Sequence, residues 1–136
     1  MSLLTGAETI GSWKGAQGSV EILRLRTTVA YIRMVGIADQ PAGKIIERAL
    51  EDIFTRTDKL HTFWDLRDLV NYHSDVRVCS TNALLAQKGK KLSAVHTLST
   101  SKIVAMGVSV ANLALGGIVQ NHKSAVSFEA AVRAVL

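Results

Sequence analysis

Two periods of apolar residues alternate along this chain, one of about two residues and one of three to four. In the first third, Leu23 and Leu25 oppose Arg24 and Arg26, and Ala30, Ile32 and Met34 alternate with Tyr31, Arg33 and Val35. That spacing predicts two strands, Val20–Arg26 and Val29–Gly36, joined around Thr27-Thr28 as a hairpin with one apolar face and one solvated face that carries the arginines. Ile10 to Lys14 reads as an edge strand before the turn composition Gly15-Ala16-Gln17-Gly18. The period then lengthens. Asp39-Gln40-Pro41 opens a helix, with Asp39 or Gln40 near the cap and Pro41 in the first turn, where its missing N–H has no intrahelical partner. Ile45, Ile46, Ala49, Leu50, Ile53 and Phe54 form its apolar face, largely opposite Lys44, Glu47, Arg48, Glu51 and Asp52, and the helix is expected to end near Asp58.

A short strand follows around Phe63, Trp64 and Leu66, with Asp65 and Arg67 at or just past its end. Asn71-Tyr72-His73-Ser74-Asp75 reads as a polar loop in which Ser74 or Asp75 caps the next helix. That helix carries Val76, Cys79, Ala83 and Ala86 on one stripe and closes at Gly89 beside Lys88, Lys90 and Lys91. Leu92 to Leu98 is the next strand, Ser99-Thr100-Ser101 caps an apolar helix, Ile118 to Asn121 is a short strand, and Ser124 or Ser127 begins a last helix with Phe128, Ala131, Val132 and Val135 inward. Strands alternating with helices imply an α/β fold: a mixed, mostly parallel sheet of about 4–5 strands, an N-terminal antiparallel hairpin and about four helices. No internal repeat or linker interrupts the 136 residues, so residues 1–136 are expected to form a single domain.

Composition narrows the class. The chain is 48% hydrophobic and 20% charged, which supports a packed core. Its net charge of +5 is scattered except at Lys88, Lys90 and Lys91, and with no recognised motif behind it nucleic-acid binding is not expected. The single cysteine, Cys79, allows no internal disulfide, and the start MSLLTGAETIG lacks the basic-then-apolar pattern of a signal peptide, so a cytoplasmic location is expected. Ile103 to Val119 runs without a charge, but Ser109, Asn112 and Gly116-Gly117 interrupt it. A buried helix, a turn and a strand explain it better than a membrane span does, and a helix whose surplus apolar face docks on a partner is the alternative.

Catalytic and cofactor signatures are weak. Gly43-Lys44 is followed by Ile45 where a phosphate-binding loop needs Ser or Thr. His61, His73, His96 and His122 are too dispersed to mark a metal site, and no metal or cofactor is expected. Cys79 lies on the core stripe of its helix. His73 with Asp75 or Asp68 makes an acid–base pair conceivable at the carboxyl end of the central strand, although polar residues there more often cap helices. Thr100, Ser101 and Lys102 open a helix after a strand and form a candidate anion site, with capping as the plainer role.

The element order, with Phe63-Trp64-Asp65-Leu66-Arg67-Asp68-Leu69 closing the central strand and Ser127-Phe128-Glu129-Ala130-Ala131-Val132 in the last helix, resembles the STAS-type, SpoIIAA-like domains over about residues 19–136. These are the anti-anti-sigma factors and their STAS/SEC14-like bacterial relatives. The resemblance implies a SpoIIAA-like (STAS) fold and a non-enzymatic regulatory or protein-interaction domain in bacterial signalling. It places the interaction surface at Asn71, His73, Ser74, Asp75 and Arg77, beside Thr100, Ser101 and Lys102. The serine motif on which anti-anti-sigma factors are phosphorylated by a partner kinase is replaced here by Asn71-Tyr72-His73-Ser74-Asp75, without its glycine, which leaves Ser74 better suited to capping than to a phosphoswitch. The implied partners are a protein or a second copy of the chain as a homodimer. The SEC14-like branch adds an alternative: a small apolar or anionic ligand, or a lipid, held in an apolar pocket against the Ile103–Leu115 helix. An enzyme built on His73 and an aspartate is a third reading.

Overall fold

The computed structural model describes residues 2–136. Among them, six strands and four helices follow one another as β1 (Glu8–Lys14), β2 (Gly18–Arg26), β3 (Val29–Ala38), α1 (Gln40–Thr55), β4 (Leu60–Tyr72), α2 (Ser74–Leu85), β5 (Leu92–Ser99), α3 (Lys102–Ala114), β6 (Val119–His122) and α4 (Ala125–Val135). The strands make one sheet in sequence order, β1-β2-β3-β4-β5-β6. The β1/β2 and β2/β3 pairs are antiparallel, and the β3/β4, β4/β5 and β5/β6 pairs are parallel. Ile10–Lys14 is therefore a true edge strand, longer by two residues at its start and hydrogen-bonded to β2. It brings the sheet to six strands where four or five were expected.

The hairpin differs from its sequence reading. Val20, Ile22, Ala30, Ile32 and Met34 enter a core built with α1, α2 and α3, while Leu23, Leu25, Val29 and Tyr31 enter a second core with Phe63, Leu98 and the α4 residues Phe128 and Val132. Both faces are thus apolar, and α4 with Leu3, Leu4 and Ala7 covers the one that carries Leu23, Leu25 and Tyr31, so neither face is left to solvent as expected. The arginines meet acidic partners within the covered sheet instead: Arg24 pairs with Glu8 of β1 at 2.8 Å, and Arg33, midway along β3, lies 3.6 Å from Asp68.

Two boundaries also move. α1 stops at Thr55, closed by a bond from the Arg56 N–H to the Ile53 carbonyl, rather than near Asp58. β4 runs on to Tyr72 because β3 continues beside it, pairing Ile37 with Asn71 and Ala38 with Tyr72 past two register shifts. Backbone partners on β3 thereby convert the first two residues of the expected polar loop into strand. Local polarity did not reveal this, since the carboxyl half of β4 is held by β3 alone after β5 ends at Ser99.

Gly43 has a packing role rather than a phosphate-binding one. It lies buried where α1 crosses the start of α2, and a Cβ there would stand 2.7 Å from the Asp75 carbonyl oxygen and 3.2 Å from the Cys79 sulfur. Alanine is the better helix former by about 1 kcal/mol, but backbone at that distance has to move. Gly43→Ala should therefore lower unfolding free energy by about 1–3 kcal/mol, the usual cost of overpacking. Urea denaturation followed by circular dichroism would read it, and a variant as stable as the parent would show that the α1–α2 crossing yields freely.

Candidate functional site

The parallel strands β3, β4, β5 and β6 end on one edge, and each is followed there by the start of a helix. Asp39 caps α1, accepting from the Gln40 N–H at 2.8 Å, and the Gln40 side chain donates to the Asp75 carboxylate at 2.8 Å, which ties the openings of α1 and α2 together. The cap of α2 is His73, not Ser74 or Asp75. Its Nδ1 accepts from the Asp75 N–H at 3.1 Å, which puts the ring proton on Nε2. Ser74 becomes the first helical residue and is exposed. Nδ1 is also 3.9 Å from the Asp75 carboxylate, but its lone pair is already occupied by backbone, so an acid–base pair would have to give up the cap. Asn71 accepts from the N–H of Tyr72 at 2.8 Å, and the Thr100 hydroxyl donates to the Arg67 carbonyl at 2.7 Å. Ser101 caps α3 by accepting from the Val104 N–H, and Lys102 is exposed. These polar side chains are thus largely engaged in ordering the edge. Arg77 is half-buried on α2.

Arg77 also borders a cavity. Between α2, α3 and the sheet lies a space of about 80 Å³, lined by Met34, Trp64, Leu66, Leu69, Val76, Leu84, Val95, Val104, Ala111 and Leu115, with Tyr72, Arg77, Ser80, Thr81 and Thr97 supplying the polar atoms. It is smaller than the roughly 300–1,000 Å³ of ordinary small-molecule pockets. α3 rests on it lightly. Only Val104 and Gly107 of that helix are buried, and Gly107 receives the Tyr72 hydroxyl where any side chain would collide with it. The outer face of α3 is apolar: Ile103, Met106, Val110 and Leu113 are 54%, 70%, 47% and 83% exposed and recur at helical spacing.

The opposite face of the sheet holds a polar cleft of about 410 Å³ that the sequence did not point to, bordered by Ser2, Leu3, Leu4, Tyr31, Arg33, Asp65, Arg67, Asp68, Glu129 and Arg133. At its floor the buried Asp65 carboxylate takes two parallel bonds from Arg67, at 2.9 and 3.1 Å, and one from the Tyr31 hydroxyl at 2.6 Å. Arg67 reaches Glu129 of α4 at 3.5 Å. Burial alone pushes the Asp65 carboxyl upward, and the hydrogen bonds from Arg67 and Tyr31 outweigh it, leaving the group below its ordinary pKa. Burial and the same carboxylate raise the Tyr31 phenol, and the bond to Asp65 raises Arg67, so the ion pair persists at neutral pH. The available signal was the spacing: residues 65 and 67 share one face of a strand. Reading Asp65 and Arg67 as lying at the strand's end hid it.

His96 and His122, distant in sequence, are joined on this same face. Among the described residues no group of three histidine, cysteine or acidic side chains is placed to hold a metal. Cys79 is buried, and burial raises its thiol pKa. No helix among the described residues is long and apolar enough to cross a membrane.

No family model matches the sequence, and no curated protein does. The structure is similar to the crystal structure of an uncharacterized protein of the DUF3478 family with a SpoIIAA-like fold, from Shewanella loihica PV-4. The TM-score is 0.61 at 14% identity, over 88% of this chain and 98% of that one. The chain therefore has a SpoIIAA-like, STAS-type α/β fold, as the element order implied.

The Asp65–Arg67 pair gives a signed expectation. Removing one partner of a buried pair costs about 3–5 kcal/mol, so Arg67→Ala should destabilise by that order at pH 7. Asp65 has a depressed pKa, and its contribution is present above the ordinary carboxylate value, about 4, and lost as pH falls through the folded value. The gap between wild type and variant should then narrow as denaturation is repeated from pH 7 toward pH 3. A gap independent of pH would mean that Arg67 acts by packing alone.

Proposed function

We propose that this chain is a non-enzymatic STAS-like interaction domain, of regulatory type, whose contact surface is the outer face of α3. The observation that carries the reading is the row Ile103, Met106, Val110 and Leu113, four large apolar side chains exposed together on one helix. Fully burying such side chains is worth about 1.5–3 kcal/mol each, enough to drive a protein contact or a homodimer. The polar residues Asn71, His73, Ser74, Asp75 and Arg77, with Thr100, Ser101 and Lys102, then set the rim at the carboxyl edge, with His73 and Ser101 capping α2 and α3. Sedimentation equilibrium of the wild type against Met106→Glu/Leu113→Glu tests it. Self-association in the wild type, weakened at least tenfold in the variant, is expected. A wild type that stays monomeric and captures no protein through α3 would end the reading.

A second reading is favoured by the cavity beneath the same helix. With apolar walls and Arg77 at its border, it would suit the tail of a small amphiphile with an anionic head once α3 shifts outward. Filling it with Ala111→Leu should abolish co-purification of such a ligand, read by native mass spectrometry of protein from its own host. Retention of the same bound mass by the filled variant would place the ligand elsewhere.

A further inference from the structure

On the α4 face, three side chains from three elements form one hydrogen-bonded line. His96, on β5, is buried, and its Nδ1 lies 2.8 Å from Nε2 of His122 at the end of β6. Nδ1 of His122 lies 2.6 Å from the hydroxyl of Ser127, an exposed residue in the first turn of α4. The rings are fixed by packing. Phe63 stacks on His96 with centroids 4.7 Å apart and planes at 11°, and Phe128 meets His122 edge-on at 5.8 Å and 76°. The two imidazoles lie at 22° to each other with centroids 5.1 Å apart, near the alignment a ring-to-ring N–H···N bond needs. Ser124 holds the other side of Ser127, accepting from its N–H at 3.2 Å.

We propose that Ser127, His122 and His96 form a serine–histidine–histidine relay, and that Ser127 is a covalent acceptor site for small activated acyl groups such as those of aryl esters or acyl phosphates. The roles follow from the line. When Ser127 donates to Nδ1 of His122, the Nε2–H of His122 donates to Nδ1 of His96, whose own proton is then on Nε2. Burial, with His122 and His61 nearby, lowers the His96 pKa and keeps that ring a neutral acceptor. In the reaction the Ser127 oxygen attacks the acyl carbon while its proton passes to Nδ1 of His122. The bond from carbon to the leaving oxygen then breaks with its electron pair, that oxygen takes the proton back from His122, and Ser127 is left as an ester. His122 is the general base. His96 is a positioning residue that accepts from the imidazolium as it forms. The N-terminal end of α4 favours negative charge developing on Ser127.

The test is exposure of the full chain to p-nitrophenyl acetate, with acetyl occupancy at Ser127 read by peptide mass spectrometry against time and pH. Ser127 should be acetylated faster than the exposed Ser74, and more slowly in acid, where a protonated imidazole offers no base. His122→Gln, whose amide replaces the Nε2 group but supplies no base, should slow it about 100-fold, the lower range for general-base assistance. His96→Leu should slow it at least tenfold, and His96→Asn, which retains an acceptor at the Nδ1 position, should recover most of the rate. Circular dichroism checks that each variant folds. Acetyl groups only on lysines, a Ser127 rate equal to that of Ser74, or folded His122→Gln labelled as fast as wild type would each overturn the proposal.

Discussion

The structure depends on one requirement: β4 must be satisfied on both edges and both faces. It is paired in parallel with β3 and β5. Leu60, Trp64 and Leu66 point into the core beneath α1–α3, and Phe63 points into the core beneath α4. A strand so enclosed can carry polar groups only where partners meet them. Thr62 donates to the Ala94 carbonyl and accepts from the Trp64 indole at 3.0 Å. Asp65 is the extreme case, a buried charge whose bidentate arginine lies two residues along the same strand face and whose third bond comes from Tyr31 of β3. The pair also fixes register, because a slip of one residue would turn Asp65 into the apolar core and Trp64 out of it.

The two helical layers are unequal, and the inequality directs the functional reading. α1 and α2 meet with Gly43 against backbone and buried side chains along both helices. α3 buries only Val104 and Gly107, leaves a cavity below and turns most of its large apolar side chains outward. A helix with few buried contacts lies at the low end of local stability within its fold. The element with the largest unpartnered apolar face is thus also the one with few buried contacts, so the proposed contact on its outer face and the proposed ligand beneath it would act on the same helix.

How much of this was legible in the sequence depended on whether a signal was local. The α1 face, the helix starts and the alternation of strand and helix all lie within a few residues of what they specify, and the structure has them, with the caps falling to Asp39 rather than Gln40, to Ser101 of Ser99-Thr100-Ser101, and to Ser124 rather than Ser127. The second core was missed because Leu23 and Leu25 beside Arg24 and Arg26 look like a half-solvated strand until Leu3, Leu4 and α4 are seen above them. The end of β4 was missed because its partner residues belong to β3, more than thirty positions away. Ser74 and Asp75 were the plausible caps of α2 by residue type, but the backbone placed His73 in the extended conformation before the first turn, where a ring nitrogen accepts as a carboxylate would. Of the candidate site, the residues at the carboxyl edge were nameable from element order. The Asp65–Arg67 pair had a local signal in its spacing, but its Tyr31 partner and the line from His96 to Ser127 did not, since they lie on separate elements.

Alternation along β4 and β5 also decides how the two faces of the molecule can influence each other. Phe63 and His96 are paired across these strands on the α4 side, and the next pair, Trp64 and Thr97, lies on the side of the α3 cavity. The two surfaces therefore share a rigid sheet without sharing a side chain. Movement of α3 needs changes at its contacts with Tyr72 and the cavity wall and at Asn112, which accepts from the Val119 N–H of β6, whereas the imidazoles are held by Phe63 and Phe128 on the α4 side. The element that touches both is β6, whose Val119 meets α3 and the cavity and whose His122 meets His96. The fold thus sets an apolar helix face on one side of the sheet and a hydrogen-bonded polar line on the other, with β4 between them and β6 in contact with both.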